Sequence, residues 1–138
     1  MTPRYLFDTN ICISIRRRRP AEILKRFQAL QPGDAVISVI TYGELRYGAE
    51  KSQERERALA LLDDLITLIP AQPLPTAAGE TYGAIRLDLE RNGMMIGNND
   101  LWIAAHARSA GLPLVTNNAR EFRRVPGLAL ENWAERPG

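Results

Sequence analysis

The chain has 138 residues, 45% of them hydrophobic, which suits one core burying roughly two thirds of the unfolded surface, so a single domain over residues 1–138 is expected. Its 18 Lys and Arg against 16 Asp and Glu leave a formal charge of only +2, so no global field announces a nucleic-acid partner and any such binding must come from local clusters. The one cysteine, Cys12, excludes an internal disulfide and a cysteine-based zinc site, and it fits a reducing, cytoplasmic location; the apolar runs are far too short to cross a membrane, and neither signal peptide nor anchor is expected.

Tyr5, Leu6 and Phe7 form an apolar run that stops at Asp8-Thr9-Asn10, the pattern of a buried strand with an aspartate at its carboxyl end. Helical spacing through Ile11, Ile13 and Ile15 breaks at Arg16 to Arg19 and Pro20, and a second, amphipathic helix carries Ile23, Leu24, Phe27 and Leu30. Pro32-Gly33-Asp34 is turn chemistry. Ala35, Val36 and Ile37 give the next strand, with Ser38 or Thr41 as N-cap of a helix that carries Glu44 near its start.

Ala58, Leu61, Leu62, Leu65 and Ile66 keep the spacing of a one-sided helix, and a strand is expected over Ile66 to Ile69. Pro70, Pro73 and Pro75 exclude regular structure until a long helix from Thr76 to Arg91, stopped at Asn92-Gly93. Asn98 or Asn99 caps the following helix, which holds Asp100 in its first turn, packs Leu101, Ile103, Ala104 and Ala107 inward, and ends at Gly111. Leu114, Val115 and Thr116 make a further strand, followed by Asn117-Asn118, a helical turn at Arg120 to Arg123, and a last strand around Leu128 to Leu130. Strands and helices alternate throughout, so the expected class is α/β, a parallel central sheet with helices on both faces, with ligands bound outside the carboxyl ends of its strands.

Asp8, Glu44 and Asp100 are therefore candidates for one site. Clustered carboxylates repel unless a cation neutralises them, and oxygen donors favour Mg2+ or Mn2+ over zinc, which points to phosphodiester hydrolysis. Each acid alone has a plainer reading as a helix cap or a partner of the helix dipole.

At this point the motifs are recognisable. Phe7-Asp8-Thr9-Asn10-Ile11-Cys12-Ile13, the run from Gly43 to Ser52, Ile96-Gly97-Asn98-Asn99-Asp100 with Ile103 to Ala107, and Leu114-Val115-Thr116-Asn117-Asn118 with Arg120-Glu121-Phe122, Val125 to Leu128 and Glu131-Asn132-Trp133 resemble VapC toxins, PIN-domain ribonucleases of type II toxin–antitoxin systems, over nearly the whole length. The C-terminal segments resemble the subgroup that cleaves initiator tRNA in the anticodon stem-loop. The resemblance implies a PIN-like domain, a catalytic and metal site of Asp8, Glu44 and Asp100 with Asp8 and Asp100 the principal Mg2+ ligands, an RNA substrate, a homodimer, and a VapB-type antitoxin whose C-terminal segment occludes the cleft. Many PIN domains carry a fourth acid after the last site strand, where this sequence has Asn117 and Asn118. An amide supplies no charge there.

Several residues have two readings. Thr9 supports the site by donating to Asp8 or to a water beside the ion, or it caps the following helix. Arg120, Arg123 and Arg124 follow a site strand and read as RNA contacts, whereas Arg16 to Arg19 read better as a solvated helix end. His106 has no nucleophile motif beside it and reads as structural. Trp102 and Tyr47 are left open between base stacking and packing. Gly97 reads as conformational, allowing the chain close to the cap at Asn98 or Asn99. An aspartyl-phosphate phosphotransferase site is disfavoured because Asp8-Thr9-Asn10 lacks the second acid such a nucleophile needs. The remaining alternative is a catalytically silent protein-binding PIN module.

Overall fold

The computed structural model describes residues 2–134; the outermost parts of the expected domain, residue 1 and residues 135–138, lie outside the described residues. The chain runs β1 (Tyr5–Phe7), α1 (Thr9–Arg17), α2 (Ala21–Gln28), β2 (Ala35–Ser38), α3 (Val39–Glu50), α4 (Arg55–Leu68), β3 (Ala71–Gln72), α5 (Thr76–Arg91), α6 (Asn98–Ala110), β4 (Leu114–Val115), α7 (Ala119–Phe122) and β5 (Leu130–Glu131). Every strand pair is parallel and the order is β3-β2-β1-β4-β5, so the expected α/β sheet is present.

Alternation along the central strand divides the core in two. Leu6 lies opposite Val36 and Leu114, and all three pack under α5 and α6 with Ile85, Leu89, Leu101 and Ile103. Phe7, opposite Ile37 and Val115, faces the other way, into a second core with Ile11, Ile23, Leu45 and Leu62. Trp133 closes this second face, its ring edge-on to Phe7 at 5.2 Å and to Tyr5 at 5.3 Å. After β3 the chain crosses back through α5 and α6 to place β4 on the other side of β1. The carboxyl ends of β1 and β4 therefore flank a topological switch point.

Several sequence expectations are corrected. No strand forms at Ile66 to Ile69: α4 continues to Leu68, and the Ile69 N–H still donates to the Leu65 carbonyl at 2.8 Å, because the i+3/i+4 apolar spacing persists through Ile69. The strand comes beyond Pro70, as the two residues of β3 between two prolines, tolerated because β3 is an edge strand. The last strand lies at Leu130–Glu131 rather than Leu128 to Leu130. Leu30 falls in the turn after α2 yet still packs against the second core.

Of the two candidate caps for α3, Ser38 is the one used: its Oγ accepts from the Ile40 N–H at 3.2 Å, and the residue is fully buried. Ser38→Ala is expected to cost ~1 kcal/mol in urea unfolding, the usual value of a lost N-cap. No helix among the described residues is long and apolar enough to cross a membrane.

Candidate active site

The peptide after β1 turns directly into α1, and Asp8 occupies the joint. Its backbone is extended (φ −79°, ψ 175°) and its Oδ1 accepts from the Ile11 N–H at 2.8 Å, so it serves as the N-cap. The hydroxyl of Thr116, just past β4, also donates to this carboxylate. Both bonds favour the ionised form, but Asp8 is only 3% exposed, and burial outweighs them. With the negative charges of Asp100 and Glu44 adding to that effect, the carboxyl is raised from 3.8 to about 6.

Glu44 projects from the middle of α3 rather than from near its start. The Thr9 hydroxyl donates to Glu44 Oε1 at 2.8 Å, with Thr41 Oγ1 at 3.4 Å from it. Thr9 thus orients Glu44 instead of Asp8, and the cap it was expected to provide is Asp8 itself. Asp100 lies in the first turn of α6 as expected, but the N-cap is Gly97, not Asn98 or Asn99. Asn98 begins the helix instead, its Oδ1 accepting the Tyr82 hydroxyl at 2.5 Å. Asp100 is half-buried; burial, then Glu121, then Glu44 hold its carboxyl above the usual range.

Glu121 is the residue that sequence reasoning missed. It stands in α7, close enough to Asp100 for its charge to disfavour ionisation there, so a fourth carboxylate is present despite the asparagines. The signal was available: a helix starting right after a site strand brings its first-turn acids to the carboxyl edge of the sheet. Asn117 takes a different part, its Nδ2 donating to Ser14 Oγ at 3.0 Å and tying the end of β4 to α1. Asn118 is exposed, and its backbone N–H donates to Thr116 Oγ1 at 2.9 Å. Thr116, also missed, therefore links the loop after β4 to Asp8.

Among the arginines, Arg124 donates to the Met95 carbonyl at 3.0 Å, bracing the loop before α6, while Arg120 and Arg123 are exposed beside α7. Arg16 to Arg19 are exposed at the end of α1. His106 is buried, Nδ1 finds no partner among the described residues, and burial lowers its pKa, so it is a neutral core residue. Cys12 is fully buried and its thiol is pushed up by burial and by Asp8, which leaves it unreactive.

The four acids come from four elements around the switch point. A cleft of about 580 Å³ beside them is lined by Thr9, Val39, Ile40, Gly43, Glu44, Tyr47 and Asn99. A second groove of about 520 Å³ shares Thr9 and Glu44 and continues between α1, α3 and α4 over Ile13, Leu45 and Leu61, with Arg16, Arg17 and Arg57 at its rim. No three Asp, Glu, His or Cys side chains among the described residues converge into a ready-made metal cage. A hard cation such as Mg2+ needs only one or two carboxylates, since it keeps several waters and completes its shell with phosphate oxygens. The donor chemistry fits as well, since a cation relieves the repulsion that raises Asp8 and Asp100.

The PIN domain family model matches residues 5–128. The chain is 48% identical over 133 residues to "Ribonuclease VapC2" of Haemophilus influenzae, covering 94% of this chain and 98% of that protein. It is 46% identical over 131 residues to the "tRNA(fMet)-specific endonuclease VapC" of Shigella flexneri, covering 95% and 98%. Its fold superimposes on DNA-bound VapBC from Salmonella typhimurium with a TM-score of 0.89 at 42% identity, covering 96% and 99%.

Proposed function

The chain belongs to the VapC-type PIN-domain ribonucleases, and on that premise we propose that it is a magnesium-dependent endoribonuclease toxin that cleaves initiator tRNA in the anticodon stem-loop and is neutralised by a VapB-type antitoxin. The observation that carries this reading is Asp8: a buried carboxylate at the switch point, repelled by Asp100 and Glu44. Carboxylates perturbed by burial and by like charges concentrate at functional sites.

Asp8 and Asp100 would hold the ion, with Glu44 as the third catalytic and metal-site acid and Glu121 facing Asp100 as a fourth. Mg2+, or Mn2+ in its place, supplies there the positive charge that polarises the scissile phosphate and stabilises the leaving oxygen. The Ile11 N–H and the Thr116 hydroxyl aim Asp8, and Thr9 aims Glu44, so both carboxylates are oriented before substrate arrives. Arg120, Arg123 and Arg124 are the proposed phosphate contacts on the α7 side, and the remaining donors of Arg124 stay available beyond its bond to Met95.

The antitoxin segment would lie in the groove between α1 and α4, whose apolar floor and arginine rim suit an amphipathic acidic strand or helix, and from there it would cover Glu44. The toxin itself is proposed as a homodimer, to be read from its molar mass by light scattering.

The test is to incubate purified, antitoxin-free protein with total tRNA, in Mg2+ or in EDTA, and to map new ends by sequencing. New ends in Mg2+ alone, confined to one anticodon loop, are the expected result. Intact tRNA in both would overturn the tRNA assignment, and failure to cut any RNA despite tight binding of a protein partner would make the chain a silent binding module.

A further inference from the structure

Two aromatic residues have open readings in the sequence, and the structure separates them. Trp102 is half-buried and already stacked on Tyr82, with ring centroids 3.8 Å apart and planes 15° apart. Tyr47 is 66% exposed and has no ring partner among the described residues; the Lys51 ammonium sits 4.8 Å from its ring centroid. It stands one helical turn beyond Glu44 on α3 and lines the same cleft as Glu44, Thr9 and Asn99.

Gly43, in the middle of α3, lines that cleft too. A Cβ there would meet nothing within 4 Å, so no packing demands a residue that weakens a helix interior. The space over this position, in the cleft shared with Glu44 and Tyr47, is open to a ligand's own backbone. An exposed ring with an ammonium over one face and an open approach to a carboxylate are together the chemistry that receives a nucleotide with an unpaired base: the base takes the ring's face and the mobile cation turns to the phosphate. A paired base hides its faces and gains nothing from this surface.

We propose that Tyr47 is a base-stacking platform that holds the unpaired base next to the scissile phosphate, with Lys51 as its cationic flank and Gly43 as the opening through which the strand passes. The proposal rests on the ribonuclease reading above and deepens it: cleavage is confined to unpaired positions, with little dependence on base identity at the stacked nucleotide.

The test uses full-length, antitoxin-free protein and an unstructured oligoribonucleotide carrying 2-aminopurine, bound in EDTA so that it stays intact. Wild type and Tyr47→Phe are expected to quench 2-aminopurine fluorescence, whereas Tyr47→Ala loses the quenching and binds about 10-fold or more weakly. In Mg2+ the alanine variant should raise KM far more than it lowers kcat. Gly43→Gln, which fills the opening one turn below the ring and leaves Tyr47 in place, is expected to weaken binding while leaving the melting temperature equal or higher. Unchanged quenching and affinity in Tyr47→Ala, with a wild type that cleaves RNA, would overturn this inference alone. So would a fall in molar mass that accounts for the loss, since the ring would then serve self-association. A wild type that cleaves no RNA removes the ribonuclease reading and this inference with it.

Discussion

Asp8→Asn is expected to reduce RNA cleavage by more than the roughly 10–100-fold typical of a lost outer-shell partner of a metal site, and at the same time to make the metal-free protein more stable at pH 7. Both effects have one origin. The folded-state carboxyl sits at about 6 against an ordinary value of 3.8, chiefly because burial opposes its charge. Between those values the folded state binds more protons than the unfolded one, so the stability this group contributes is full below pH 3.8 and is lost as pH rises through about 6. At pH 7 the ionised carboxylate therefore works against the fold by up to ~3 kcal/mol, burial supplying most of it and the charges of Asp100 and Glu44 the rest. Asparagine removes the charge and keeps an oxygen that accepts from Ile11, so the α1 cap survives. Urea unfolding in EDTA at about pH 4.5 and pH 7 should show wild type losing stability between the two and the variant losing clearly less, its remaining loss coming from Asp100. A variant less stable than wild type at pH 7 would mean that Asp8 is not a strained charge. Undiminished cleavage would remove it from the site.

Much of this architecture was legible because two of the site acids, Asp8 and Asp100, coincide with the starts of helices, whereas Glu44 lies mid-helix. Asp8 ends an apolar run and caps the helix that follows it, so composition and position both mark it. Asp100 falls in the first turn of a helix whose inward residues repeat at clear spacing. The partnerships were not legible, because a side-chain hydroxyl chooses among neighbours brought together only by the fold. Thr9 reaches across to Glu44, 35 positions away in sequence, while Thr116 serves Asp8 from the adjacent strand's end.

Glu121 was hidden for a related reason. The asparagines at the end of β4 mark the strand end, whereas the carboxylate nearest in effect to Asp100 sits in the short helical turn beyond them, whose position is readable from the sequence but whose facing only the fold decides. The misassigned strand at Ile66 to Ile69 arose from a run of apolar residues that fits either period until the prolines are weighed as a boundary rather than an interruption.

Adding Mg2+ to the metal-free wild type is expected to raise its melting temperature by several degrees, and to do so only while Asp8 is present. An ion bound by the folded state alone contributes about 2.7 kcal/mol when its concentration is a hundred times its dissociation constant. For a chain of this length each kcal/mol moves the midpoint by roughly 2–8 °C. The shift should shrink as pH falls from about 7 to 5, because a proton then holds Asp8 and must be displaced before the cation is bound. Potassium chloride at matched ionic strength should reproduce little of the effect, since screening acts mainly on exposed charges and Asp8 is buried. In Asp8→Asn the Mg2+ shift should largely disappear, although that variant starts from the higher melting temperature. An equal shift in both proteins would place the cation elsewhere on the surface. A shift confined to wild type would tie the strained charge of Asp8, which weakens the fold at neutral pH, to the ion that relieves it.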